Sequence, residues 1–168
     1  IKNLRAFSKQ QAEPMTRVDL TAVLREAIEM VEARAAQMQA RILCDLPEEP
    51  LWVQGGDVRL GQVFVNLLTT ALDAMNNTQE RVIQITIPDT EVVEVWVQDT
   101  GTGVDVPEKV FDPFYSTKEV GASEGMGLGL SISYGIVRGF GGDIRVRNCN
   151  PGARFIVELQ RWHVQEAA

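Results

Sequence analysis

A chain of 168 residues with 45% hydrophobic and 23% charged residues has the apolar material for one ordinary globular domain plus a short appendage, and it is not a disordered composition. The formal charge of −7 argues against a general nucleic-acid coat, which needs phosphate-neutralising Lys and Arg, and no apolar run reaches membrane-spanning length. Cys44 and Cys149 stand far apart without C-x-x-C spacing and read as small core residues in a reducing compartment, while a single histidine, His163, cannot build a His-based metal site.

Residues 1–12 carry Ile1, Leu4 and Phe7 at helical spacing and read as the last turns of a helix that Pro14 stops. The chain opens inside that helical pattern without a start methionine or a signal peptide, as a piece of something longer would. Residues 13–18 read as a connector. Asp19 is then the N-cap of a helix predicted to end near Gln39, with Leu20, Val23, Leu24, Ala27, Ile28 and Val31 as one apolar stripe. Two short strands, 41–46 and 51–53, flank the turn PEEP. Gly56-Asp57 opens the next helix, whose apolar positions from Leu60 to Met75 are broad enough to pack on more than one side. Strands are predicted at 82–87 and 92–98, with a turn at Pro88-Asp89. Residues 99–125 are rich in Gly, Pro, Ser, Asp and Thr, and a loop of that length is usually a lid or binding loop. A helix follows over 127–140, closed by Gly141-Gly142, and then strands at 143–148 and 154–159 about the turn Asn150-Pro151-Gly152. The fold class is α/β: a two-layer sandwich of one mixed, mostly antiparallel sheet with helices on one face.

Three clusters on this frame carry chemistry. Asp99, Gly101 and Gly103 form a D-x-G-x-G at a strand end, where a carboxylate accepts from an exocyclic amine and glycines admit a flat base. An ordinary Asx turn accounts for the same residues equally well. Gly125, Gly127 and Gly129, interleaved with Leu128 and Leu130, lead into a helix whose free N–H groups and positive dipole end make an anion site. Asn66, Thr70 and Asp73 lie at i, i+4 and i+7 on an otherwise apolar helix, either as a solvated face or as partners of a nucleotide with Mg²⁺. The loop adds Phe111-Asp112-Pro113-Phe114-Tyr115-Ser116-Thr117-Lys118.

In order and spacing these clusters resemble the N, G1, F and G2 boxes of the ATP-binding catalytic domain of bacterial sensor histidine kinases. That domain shares the Bergerat ATP-binding fold with DNA gyrase, MutL and Hsp-type chaperones. The likeness covers residues 19–160, and Gly152-Ala153-Arg154-Phe155 is similar to its closing glycine motif. LRAFSK at 4–9 resembles the end of the dimerisation helix that precedes the domain. VFDPFYSTKEVG and SYGIVRGFGG are similar to the C4-dicarboxylate sensor subgroup. The resemblance divides the chain into a helix end and connector at 1–14, the ATP-binding domain at 15–162 and a tail at 163–168.

Carried over by residue, the resemblance gives Asp99 the adenine amino group, Gly101 and Gly103 the base pocket, and Gly125, Gly127, Leu128, Gly129 and Leu130 the phosphate cradle. It places Asn66, as a catalytic and metal-binding residue, with Thr70 at the Mg²⁺, and Asp73 beside them on the nucleotide-facing stripe. Phe114, Thr117 and Lys118 come from the lid, Lys118 as a further catalytic residue touching phosphate; Phe111 and Phe114 anchor the lid by packing. The departure is Thr70, where the family has a second asparagine, the usual Mg²⁺ ligand. The family's ATP-hydrolysing branches carry a glutamate where this chain has Asn66, which cannot act as a general base. The implied activity is therefore ATP–Mg²⁺ binding and γ-phosphoryl transfer to a histidine on a separate dimerisation domain, with a response regulator downstream.

Neither nucleic acid nor direct membrane contact is expected of these residues. The expected setting is the cytoplasmic part of a membrane-attached sensor, dimeric as a whole and monomeric as this piece, which would not autophosphorylate in cis. His163, in the tail, reads as a surface residue. Two alternatives stay open: a degenerate nucleotide-binding or interaction module, made conceivable by Thr70, and a motor-type ATPase of the same superfamily.

Overall fold

The structure, a computed structural model, describes residues 14–113 and 126–163, apart from the side chains of 126–128. Strand β1 (Thr16–Asp19) leads into helix α1 (Leu20–Gln37), followed by β2 (Arg41–Asp45), β3 (Trp52–Gly55) and α2 (Asp57–Ala74). The antiparallel pair β4 (Val82–Thr86) and β5 (Val93–Asp99) precedes a single 3₁₀ turn at Pro107–Lys109. Helix α3 (Met126–Gly139), β6 (Asp143–Asn148) and β7 (Ala153–Leu159) complete the order.

Five strands make one sheet in the order β2-β4-β5-β7-β6, parallel only between β2 and β4. This is the mixed, mostly antiparallel α/β arrangement expected. Alternation along β5 buries Val93, Val95, Val97 and Asp99 on one face and leaves Glu94, Trp96 and Gln98 half-buried on the other. Helix α2 buries Leu60, Val63, Phe64, Leu67, Leu68, Ala71 and Leu72, a spread wide enough to serve α1, α3 and the sheet together. The core is continuous through Leu24, Phe64, Ile83, Val95 and Phe155.

Two sequence expectations need correction. Residues 16–18, expected within a connector, are strand: β1 pairs antiparallel with β3 in a small second sheet. The two strands expected around PEEP are present and join different sheets, β2 the large one and β3 the small one. Cys44 is exposed rather than core, because β2 is an edge strand, while Cys149 is half-buried. Helix α1 also ends slightly early, at Gln37, and the chain turns out through Gln39 at a φ of 56°. Its start is as expected, with Asp19 Oδ1 accepting from the Thr21 and Ala22 N–H groups.

Strand β3 is paired on both sides. Besides β1, it meets the segment after β7: Val53 bridges Arg161, the Gln54 N–H donates to Gln160 O at 2.9 Å, and the Trp162 N–H donates to Trp52 O at 3.0 Å. Residues 1–13, expected as a helix end, and the tail from 164 lie outside the described residues; His163 is exposed, as expected.

Candidate functional site

The phase of β5 that buries its valines also buries Asp99, which is 1% exposed at the strand's C-terminal end. The Gly101 N–H donates to Asp99 Oδ1 at 2.8 Å and the Ala153 N–H at 3.3 Å. Burial pushes the carboxyl above its ordinary range, and these two backbone donors oppose that shift without cancelling it. Both bonds fall on Oδ1, so Oδ2 is the oxygen with capacity for a ligand donor.

The glycines around Asp99 have separate jobs. A Cβ on Gly101 would sit 2.5 Å from the Ala74 carbonyl oxygen, so this glycine lets the loop close on the C-terminal end of α2, where the Thr102 N–H also reaches Ala74 O. Gly103 turns the chain at a φ of 84°. Gly152, at a φ of 89°, lies so close to Asp99 that any Cβ there would collide with its backbone carbonyl. The loop after Asp99 is then clamped by Asn148, whose amide exchanges two 2.7 Å hydrogen bonds with the backbone of Val104.

From the middle of α2 to its C-terminal end the polar stripe divides between two neighbours. Asn66 Nδ2 donates to Ser133 Oγ at 3.2 Å and to Gly129 O at 3.4 Å, both on α3. Thr70 Oγ1 donates to Asn66 O at 2.8 Å within α2. Asp73 forms a short ion pair with Arg34 of α1, so its charge is engaged by a neighbouring helix. Asn66, Thr70 and Asp73 are each half-buried, which removes the solvated-face reading. Gly129 faces Asn66, and a Cβ there would stand 3.9 Å from its amide, in ordinary contact. No described neighbour forces a glycine at 129.

Leu130 is 7% exposed and belongs to the core. Gly127 and Leu128 fall in the first turn of α3. Phe111 stacks on Tyr134 with ring centroids 5.5 Å apart and meets Phe155 edge-on at 6.2 Å, the packing role expected of it. Phe114, Thr117, Lys118 and Gly125 lie outside the described residues.

Sequence reading missed Ser133, Asn148 and Arg34. A serine inside the apolar run after Leu130 was the available signal for the first; the other two act across loops and helices that only the fold brings together.

An α/β sandwich with a buried aspartate at a strand end and an asparagine facing a glycine-rich helix start defines a class, and comparison places the chain in it. The chain belongs to the family described as histidine kinase-, DNA gyrase B- and HSP90-like ATPases, which matches residues 55–163. Within that family its relatives include sensor kinases. The C4-dicarboxylate transport sensor protein DctB of Pseudomonas aeruginosa is 34% identical over 152 residues, covering 88% of this chain and 24% of that protein. The signal transduction histidine-protein kinase AtoS of Escherichia coli is 30% identical over 162 residues, covering 95% of this chain and 26% of its own length. The chain thus spans about a quarter of these relatives. Among solved structures, the catalytic domain of histidine kinase ThkA superposes with a TM-score of 0.76 at 31% identity, covering 89% of this chain and 97% of that one.

Proposed function

We propose that this chain is the part of a two-component sensor kinase that binds ATP with Mg²⁺ and presents the γ-phosphoryl group to a histidine on a dimerisation domain. The observation that carries the reading is a pair of anchors along α2: Asp99, whose loop closes on the C-terminal end of the helix at Ala74 through Gly101 and Thr102, and Asn66 eight residues earlier. At 1.5 Å per residue these anchors are roughly 12 Å apart along the axis, a span suited to a ligand with a base at one end and phosphates at the other.

Asp99 Oδ2 accepts from the adenine amino group while Oδ1 stays fixed by Gly101 and Ala153. Asn66 and the start of α3 meet the phosphates, where free N–H groups and the dipole favour negative charge. Gly125, Phe114, Thr117 and Lys118 complete the lid side, Lys118 through its charge, and Asp73 supports the helix through Arg34.

The oxygens available to a metal fit Mg²⁺. Among the described residues no group of three or more His, Cys, Asp and Glu gathers to hold an ion. Asn66 Oδ1 and Thr70 Oγ1 stand one helical turn apart, and Mg²⁺ keeps several waters and takes only one or two protein ligands beside substrate phosphates. When bound, Mg²⁺ neutralises charge on the phosphates.

No carboxylate occupies position 66, so water is not activated there, and phosphoryl transfer rests on positioning and charge neutralisation. The acceptor is upstream of this domain, and His163, exposed beyond β7, is not it. The response regulator takes the phosphoryl group next. The setting is the cytoplasmic side of a membrane-attached sensor; no described helix is long and apolar enough to cross a membrane. The domain is residues 15–162, monomeric by itself and dimeric through the upstream helix.

Calorimetric titration with ATP, with and without Mg²⁺, tests the reading on the chain and on Thr70→Asn. ATP binding that Asn at 70 strengthens only in the presence of Mg²⁺ supports it. Absence of ATP binding to both proteins overturns it and favours an interaction module.

A further inference from the structure

Ser133 is a buried hydroxyl: it is 0% exposed on α3, between the core residues Leu130 and Val137. Three polar side chains are buried among the described residues, and two of them have local duties. Thr21 bonds to Asp19 at the start of α1, and Asp99 bonds to the backbone of Gly101 and Ala153. The side chain that Ser133 meets across the helix interface is that of Asn66.

The sense of the Asn66 amide follows from its partners. The Gly129 carbonyl only accepts, so the group turned toward it is the NH₂, and Oδ1 faces away from α3. At 3.4 Å, however, that contact is long and holds the plane of the amide loosely. Ser133 Oγ, at 3.2 Å and one turn further along α3, is a second acceptor on the same NH₂. Two acceptors fix both the sense and the plane.

Thr70 stands differently. Its hydroxyl proton is committed at 2.8 Å to the carbonyl of Asn66 in its own helix. The side chain is thereby folded back on α2, and it carries one oxygen where an asparagine would extend an amide.

We propose that Ser133 is a positioning residue that holds Asn66 Oδ1 toward the nucleotide's Mg²⁺, making Asn66 the principal protein ligand in place of residue 70. The inference rests on the ATP–Mg²⁺ reading above and adds to it a residue outside the nucleotide-binding clusters.

The test compares ATP affinity in EDTA with ATP affinity in Mg²⁺ by calorimetry, for the unchanged chain, Thr70→Asn, Ser133→Ala, Ser133→Cys and the double variant Ser133→Ala/Thr70→Asn. Cysteine keeps the volume of the site but is a poor acceptor, so it covers the case in which Ser133→Ala fails to fold. Expected is metal-free affinity within twofold of the unchanged chain for both single variants. Their Mg²⁺-dependent gain falls about tenfold, the low end for loss of a group that orients a metal ligand. Asparagine at 70 restores the gain in the Ser133→Ala background by supplying a second amide oxygen.

Equal losses with and without Mg²⁺ would mark Ser133 as structural and overturn the inference, as would an unchanged gain. ATP binding by the unchanged chain with no gain from Mg²⁺ sinks the inference and leaves nucleotide binding standing. No ATP binding by the unchanged chain or by Thr70→Asn in its own background sinks both.

Discussion

Asp99, the proposed adenine contact, is a carboxyl held against the preference of its surroundings. Its carboxyl is buried, and its folded pKa is raised above the ordinary 3.8, chiefly by desolvation. A raised folded pKa means the native state holds its proton more tightly than the unfolded chain, so this group's contribution is complete below the unfolded pKa and is lost as pH rises through the folded value. Asp99→Asn removes that titration. Urea unfolding of the two proteins between about pH 4 and 7 should therefore show the difference moving in favour of Asn as pH rises. The same variant turns an acceptor into an NH₂ facing the ligand amine. Loss of a hydrogen bond to a charged acceptor, about 2 kcal/mol, should weaken ATP binding roughly 30-fold. Retained ATP affinity would remove Asp99 from the base pocket. Asp99 and Asn66 were legible in the sequence because a carboxylate at the end of a strand and an amide on an apolar helix stand out locally. Ser133 and the Arg34–Asp73 pair were not, because how helices cross decides which side chains meet, and those last two lie 39 residues apart.

Among the elements, those with strong local signals were the legible ones. Asp19 caps α1 with bonds to Thr21 and Ala22, Gly56 precedes α2, and Pro88 turns β4 into β5. Asp19→Ala should lower stability by about 1 kcal/mol, read as a drop in the thermal midpoint, with ATP affinity unaffected. Strand β1 escaped notice since four residues, Thr16–Asp19, show no decisive alternation and pair only with β3, more than thirty residues on. The turn before β7 is the most demanding element. Gly152 combines a φ of 89° with backbone packed against Asp99, so Gly152→Ala both strains the turn and pushes on the site. A loss of stability of several kcal/mol with impaired ATP binding is expected, measured by denaturant unfolding and calorimetry together. A variant as stable as the parent would mean that the loop moves aside freely.

At the scale of the molecule, the class of the sheet and the breadth of α2 followed from periodicity, whereas the second sheet came from pairings too distant for any local pattern. Incubated with γ-labelled ATP, the chain alone should carry no label, and a separately supplied dimerisation domain containing the acceptor histidine should gain it. Label appearing on the chain itself would give His163 or another residue a role denied to it here. The double pairing of β3 brings opposite ends of the domain together. Residue 16 lies against one edge of β3 and residues 160–162 against the other, two strand spacings across and about three residues along, so residues 16 and 162 are within roughly 15 Å of each other. The domain is therefore nearly a closed ring. A circular permutant joining 163 to 14 through a Gly/Ser linker of about ten residues, and opened at Asp89 between β4 and β5, should fold and keep the proposed nucleotide site. For the same reason, a pull on both ends would shear the small sheet around β3 first and reach the site only after that sheet had parted.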